Sequence, residues 1–146
     1  MMAGMDQTQV ALVQSTVEQF NPQRFYELLF ARRPELRDLF PAAAELMAAQ
    51  HARLASAVAG VVSRLGVTDA QRVLSLGLRA LGRRHGVFYA VRPEHYPPVG
   101  AALLDSFEPE LNTDARVAWS AVFAFVSEEM LAGAAEGLPP GAETVL

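Results

Sequence analysis

Cysteine and lysine are both absent from the 146 residues of this chain. Without cysteine the chain has no disulfides, no thiolate metal ligands and no cysteine nucleophile. All 12 basic residues are arginines, and 16 acidic residues bring the formal net charge to −4. The arginines are scattered along the chain and do not form the basic stripe that a duplex-binding surface normally needs. We therefore expect no nucleic-acid partner.

Several functional signals are also missing. No uninterrupted apolar run approaches the roughly 20 residues of a membrane span, and the first six residues lack the basic and apolar regions of a secretory signal. The sequence contains no HExxH zinc motif, no glycine-rich phosphate loop and no GxSxG nucleophile motif. We expect a cytoplasmic protein with no membrane association.

The composition is that of one folded domain. Hydrophobic residues make up 51% of the chain and charged residues 19%, which argues against overall disorder. The length suits a single core. We expect a flexible N-terminus at 1–7, one domain at 8–136 and a flexible C-terminal tail at 137–146.

Apolar residues recur at spacings of three and four along almost the whole chain, which predicts an all-α fold of six or seven helices. Helix boundaries are indicated by caps, prolines and a glycine. One helix is expected to reach His85 and to be followed by an irregular turn over 86–92. The boundary signals lie at Asn21-Pro22, Pro34, Gly66, Thr68–Gln71 and Pro93.

Among the three histidines, His85 is the most informative because it continues the apolar stripe formed by Leu78 and Leu81. A histidine on such a face is more often a hydrogen-bonded core residue than a ligand. Tyr26 and Gln50 lie among apolar residues on two other predicted helices. Together with His85 they would line one pocket, although each alone is more often a core residue.

The segments Leu81–His85, Val91–Tyr96 and Val99-Gly100 resemble the proximal half of a bacterial globin. The segments Phe25-Tyr26 and Leu39-Phe40 resemble the distal half. The resemblance is to single-domain haemoglobins and to the globin domain of flavohaemoglobins.

The Gln-xxx-Leu element of the family is matched by Gln50 and Leu54, and its last helix by Ala118-Trp119. The similarity covers roughly 8–134. It implies a globin fold, with six to eight helices enclosing haem.

The resemblance also implies residue roles. His85 would be the proximal ligand of the iron in haem b, and Tyr26 and Gln50 would be the distal hydrogen-bond donors that act on the bound gas. Arg53 would bind a haem propionate or be a solvated arginine, and both alternatives stay open here. The other residues implied to contact the haem are Phe40, Leu54, Val91 and Tyr96.

Three departures from the family pattern matter. Gln50 and His51 are adjacent, so a helix shifted by one residue would present His51 and Ala55 in place of Gln50 and Leu54. The stretch from His85 to Tyr96 is one residue longer than is usual in the family. Flavohaemoglobins place a glutamate beside the proximal histidine, and the aligned residue here is Ala134, with Glu136 nearby but off register.

The resemblance implies reversible binding of O2, NO and CO at five-coordinate iron. It leaves open NO dioxygenation, for which a separate reductase would supply electrons, because we expect no flavin or nicotinamide domain after residue 146. The alternatives are a globin-fold gas sensor or interaction module, and a six-coordinate haem protein in which His51 binds the iron. A homodimer is compatible with the sequence.

Overall fold

The computed structural model describes residues 5–88 and 91–136, with only the backbone for 68, 69, 87 and 88. Within this part of the chain, nearly all residues are helical, and the β pairing found is an isolated bridge between Phe20 and Phe107. The α-helices of this part are α1 (Gln7–Thr16), α2 (Pro22–Arg32), α3 (Ala44–Arg64), α4 (Thr68–Phe88), α5 (Tyr96–Asp105) and α6 (Thr113–Glu136). Short 3-10 helices lie at Val17–Gln19, Pro34–Leu39 and Pro93–His95. The all-α class is confirmed.

The N-terminal end of α1 is fixed by Asp6. Its side chain accepts a hydrogen bond from the backbone N–H of Gln9 at 2.8 Å, and the Gln9 side chain accepts one from the Asp6 N–H at 3.2 Å. This reciprocal pair is a capping box. Met5, just before it, is buried. Of the segment 1–7 that we expect to be flexible, Met5 is thus buried and Gln7 begins α1, while 1–4 and the tail 137–146 lie outside the described residues.

The boundaries of α2 follow from its flanking sequence. Asn21 caps the helix by accepting from the N–H of Arg24 at 3.1 Å, and Pro22 occupies the first helical position. The helix ends at Arg32 because Pro34 lacks the N–H that would continue it. The chain then forms the 3-10 helix that leads to Phe40.

Helix α4 extends further than the sequence indicates. The irregular turn was expected from residue 86, but the helix continues past His85 to Phe88. The N–H of Val91 donates to the carbonyl oxygen of His85 at 3.0 Å, so the chain folds back on the end of the helix. The side chains of the expected capping box at Thr68–Gln71 are only partly within the described residues.

Helices α4 and α6 cross in very close contact. A Cβ atom built on Gly82 would lie 1.9 Å from the carbonyl oxygen of Met130, and one built on Gly133 would lie 1.9 Å from that of Arg79. The two backbones can approach this closely only because neither glycine has a side chain. The crossing sets the position of α4 one turn before His85.

By length and composition alone, α6 could cross a bilayer. The helix packs against α1, α4 and α5 and contributes Trp119 and Val122 to the core. A core helix of a folded domain can be as long and as apolar as a membrane span. The length and composition of α6 therefore add no support for a membrane partner.

Candidate functional site

A cavity of about 270 Å³ lies between the helices, and its lining comes from α2 to α6 and from the segments between them. Helix α3 contributes residues 50, 54, 57, 58 and 61, which lie on one face of a helix. Most of the lining is aliphatic or aromatic. Among the described residues, the polar or titratable side chains that line it are Tyr26, Gln50, His85, His95, Tyr96, Trp119 and Ser127.

Tyr26 and Gln50 meet at the cavity wall. The Gln50 amide donates from Nε2 to the Tyr26 hydroxyl oxygen at 3.1 Å. Only 4% of Tyr26 is exposed. Burial raises the pKa of this phenol, although the Gln50 hydrogen bond and the positive charge of Arg53 act in the opposite direction. Tyr26 is therefore a protonated hydroxyl near neutral pH and can donate a hydrogen bond.

Aromatic rings hold Tyr26 in place. Phe40 packs edge-on against its ring at a centroid distance of 5.2 Å, and His51 stacks on it at 5.1 Å with an interplanar angle of 15°. His51 is not part of the cavity lining, nor is Ala55. Of the two registers left open by the sequence, the structure adopts the one with Gln50 and Leu54 at the cavity.

Arg53 does not line the cavity. Its side chain is exposed, and Nη2 donates to the Gln50 Oε1 atom at 2.8 Å. Arg53 thus has Gln50 as a partner. The two alternatives from the sequence were a haem propionate and solvent.

His85 enters the cavity from α4. Its Nδ1 atom lies 2.9 Å from the carbonyl oxygen of Leu81. Because a carbonyl oxygen only accepts, Nδ1 carries the proton, and the ring lone pair is on Nε2. Burial lowers the pKa of His85, the hydrogen bond to Leu81 acts in the opposite direction, and the charge of Arg84 lowers the pKa further. A neutral imidazole whose other nitrogen is hydrogen-bonded is the usual form of a histidine metal ligand.

Val91, within the lengthened stretch from His85 to Tyr96, and Tyr96 at its end both line the cavity. The extra residue between His85 and Tyr96 therefore leaves Tyr96 at the cavity wall. Burial raises the pKa of Tyr96.

The described ion pairs of Glu136 are with arginines of α4. Glu136 binds Arg83 at 3.0 Å and Arg79 at 3.5 Å. The Cβ atom of Ala134 lies 3.4 Å from where a Cβ would stand on Gly86. The hydrogen-bond acceptor observed at Nδ1 is thus a backbone carbonyl.

Two polar residues of the lining were not predicted. His95 accepts from the Arg92 N–H at its Nδ1 atom, and the sequence offered only its residue type as a signal. Ser127 has a buried hydroxyl oxygen that makes no hydrogen bond. Nothing in the pattern of α6 singles Ser127 out, because one serine among apolar residues is common in helices.

The lining suits haem better than a free metal ion. Among the described residues, no group of three or more His, Asp or Glu side chains could hold a metal. His85 would therefore bind a metal only where another molecule supplies the remaining ligands, as a porphyrin does. The predominantly apolar walls fit a flat, largely apolar macrocycle. The residues present thus fit the cofactor that the sequence resemblance implies.

Comparison with known proteins agrees with the sequence resemblance. The Globin family model matches residues 23–130. An uncharacterized globin-like protein of Aquifex aeolicus is 34% identical over 110 residues, which is 74% of each chain. A flavohemoprotein of Vibrio cholerae is 27% identical over 135 residues. That match covers 85% of this chain but only 33% of the flavohemoprotein.

A bacterial globin from Campylobacter jejuni has a similar structure, with a TM-score of 0.75 at 19% sequence identity. The match covers 90% of this chain and 97% of the other. This likeness confirms the predicted fold.

Proposed function

The chain belongs to the globin family, and from that premise we propose that it binds haem b and reversibly binds O2 and other diatomic gases. The observation that carries the proposal is the cavity itself. It brings together a histidine whose Nδ1 is hydrogen-bonded to Leu81 and a buried tyrosine whose hydroxyl is bonded to Gln50.

On the proximal side, His85 would hold the iron through Nε2. The Leu81 carbonyl fixes the tautomer and orientation of the imidazole. Val91 and Tyr96 would pack against the macrocycle on this side, and Phe40, which lies beside Tyr26, would pack against it on the other. When bound, haem iron supplies the coordination site for O2, NO or CO.

On the distal side, the Tyr26 hydroxyl would donate a hydrogen bond to the gas. A hydrogen bond contributes about 0.5–1.5 kcal/mol, and more to a charged acceptor, so a polarised ligand such as O2 gains more than CO. Leu54 would limit the space above the ligand. Burial keeps competing water away from these groups.

We further propose NO dioxygenation as a second activity, in which O2, NO and one electron give nitrate. The matched flavohemoproteins support this extension, but the match covers about a third or less of their length. We propose a separate reductase as the electron donor. We also propose a cytoplasmic location for the protein.

Absorption spectra of the purified protein test haem binding directly. We expect a Soret band in the ferric and dithionite-reduced forms, and a shift of that band when CO is added. A low-spin reduced spectrum before CO would instead indicate a six-coordinate protein with an internal ligand such as His51. If no Soret band appears after addition of haemin, the proposal fails and an interaction domain of globin fold remains.

Replacing the proximal histidine tests its role. His85→Gly should lose haem, and added imidazole should restore the spectrum by occupying the vacated position. His95→Gly is the matched control, because His95 also lines the cavity and should leave the spectrum unchanged. A His85→Gly protein with the wild-type spectrum would show that another residue binds the iron.

A further inference from the structure

We infer that Arg53 fixes the orientation of the Gln50 side-chain amide and thereby directs the Tyr26 hydroxyl hydrogen into the cavity. The inference deepens the proposed function and rests on it, since the hydrogen is directed toward the gas site. It makes Arg53 a positioning residue that acts from the protein surface.

The first step is the Arg53–Gln50 contact. A guanidinium group has N–H donors and no acceptor. The Gln50 atom that lies 2.8 Å from the Arg53 Nη2 atom must therefore be the amide oxygen. The two residues are three positions apart on α3, which places them on neighbouring points of the helix surface.

The second step follows from the amide. With its oxygen committed to Arg53, Gln50 presents its NH2 group to the Tyr26 hydroxyl at 3.1 Å. An amide nitrogen does not accept a hydrogen bond, so the Tyr26 oxygen must be the acceptor. The hydroxyl hydrogen consequently points away from Gln50, and Tyr26 lines the cavity.

The opposite amide orientation would reverse this result. If Gln50 turned its amide oxygen toward Tyr26, the hydroxyl would donate to that oxygen and present lone pairs to the cavity. Lone pairs repel a ligand with partial negative charge. Because the two orientations of an amide have nearly the same shape, packing alone distinguishes them poorly, whereas a charged donor such as Arg53 distinguishes them well.

The C–O stretching frequency of the CO complex measures the polarity that Tyr26 presents. We expect the wild-type protein to show a low-frequency band, typical of CO near a hydrogen-bond donor. Arg53→Met should shift population to a higher-frequency band and raise the O2 dissociation rate by about threefold to tenfold, as partial loss of one hydrogen bond implies. Arg72→Met, which removes an exposed arginine of α4, should leave both unchanged.

A double-mutant cycle separates orientation of the amide from a direct effect of the arginine charge. In a Gln50→Leu background there is no amide to orient, so Arg53→Met should no longer shift the CO band. A shift that persists there would overturn the inference. An unchanged CO band with faster haem loss would also overturn it, because it would show that Arg53 binds a propionate.

Failure of the proposed function would be seen separately, as a wild-type protein that forms no CO complex. The amide orientation can then be measured in the haem-free protein through the ultraviolet titration of Tyr26, isolated by subtracting the Tyr26→Phe signal. Arg53→Met should raise the Tyr26 pKa when Gln50 is present and by much less in the Gln50→Leu background. Equal changes in both backgrounds would overturn the inference.

Discussion

At the scale of single residues, Tyr26 is where the packing and the hydrogen bonding of the cavity meet. Its ring is held by Phe40 and His51, and its hydroxyl is held by Gln50. Tyr26→Phe keeps the ring and removes only the hydroxyl. We expect the O2 dissociation rate to rise about tenfold, since one hydrogen bond of about 1.4 kcal/mol corresponds to that factor.

Displacement of O2 by CO in a stopped-flow experiment measures this rate. Tyr96→Phe is the matched control, because it removes the other described tyrosine hydroxyl of the cavity lining and should change the rate little. An unaltered rate in Tyr26→Phe would mean that the phenol does not reach the ligand.

The residues of the cavity were predictable to different degrees. Helical spacing places His85 and Gln50 on or beside apolar faces, whereas their roles, and Leu54 as a cavity residue, came from the resemblance to globins. The role of Arg53 does not follow from spacing, because an exposed arginine has many partners within reach and only the three-dimensional arrangement selects one. The buried hydroxyl of Ser127 was equally invisible.

At the scale of helices, the crossing of α4 and α6 fixes the proximal side of the site. Gly82 lies three residues before His85 and directly against the α6 backbone. Gly82→Ala would force the helices apart. We expect it to lower the unfolding free energy by about 3 kcal/mol. This value is at the upper end for overpacking, because the atoms in the way belong to the backbone and cannot move aside easily. Urea unfolding measures the loss.

Gly77→Ala on the same helix is the control. A Cβ atom there has no neighbour within 4 Å, so the substitution should stabilise the protein by about 0.5–1 kcal/mol through the higher helix propensity of alanine. If Gly82→Ala and Gly77→Ala had the same effect, the close crossing would not exist in solution.

Helix boundaries were largely predictable because they depend on local chemistry. Asn21, Pro22 and Pro34 mark the ends of α2 in the sequence and in the structure. The continuation of α4 to Phe88 was not predictable, since Gly86 suggests a helix end. The glycine crossing was missed for a different reason: it depends on two residues that are 51 positions apart, Gly82 and Gly133.

At the scale of the whole molecule, Asp105 at the end of α5 joins three helices. Its carboxylate binds Arg32 of α2 and Arg116 of α6, each at 2.8 Å. Burial alone would raise the pKa of Asp105, but the two arginine hydrogen bonds and charges outweigh it, and the pKa is lowered. These pairs therefore stabilise the folded state as long as the carboxylate is ionised.

The sign of the pH dependence follows from this shift. Because the folded pKa lies below the unfolded value, the stabilisation is fully present above the unfolded pKa and is lost as pH falls through the folded pKa. Asp105→Asn should therefore lower the unfolding free energy at neutral pH by about 1 kcal/mol, the upper range for partly exposed ion pairs. Well below the folded pKa the variant and the wild type should converge, since both then lack the charge.

Urea unfolding of the haem-free protein across this pH range tests the convergence without a contribution from acid loss of haem. Asp38→Asn, at an exposed aspartate of the 3-10 helix Pro34–Leu39, is the matched control and should follow the wild type at every pH. An equal deficit for Asp105→Asn in neutral and in acid solution would mean that the amide disturbs packing. The ion pairs that join α2, α5 and α6 would then contribute nothing to stability.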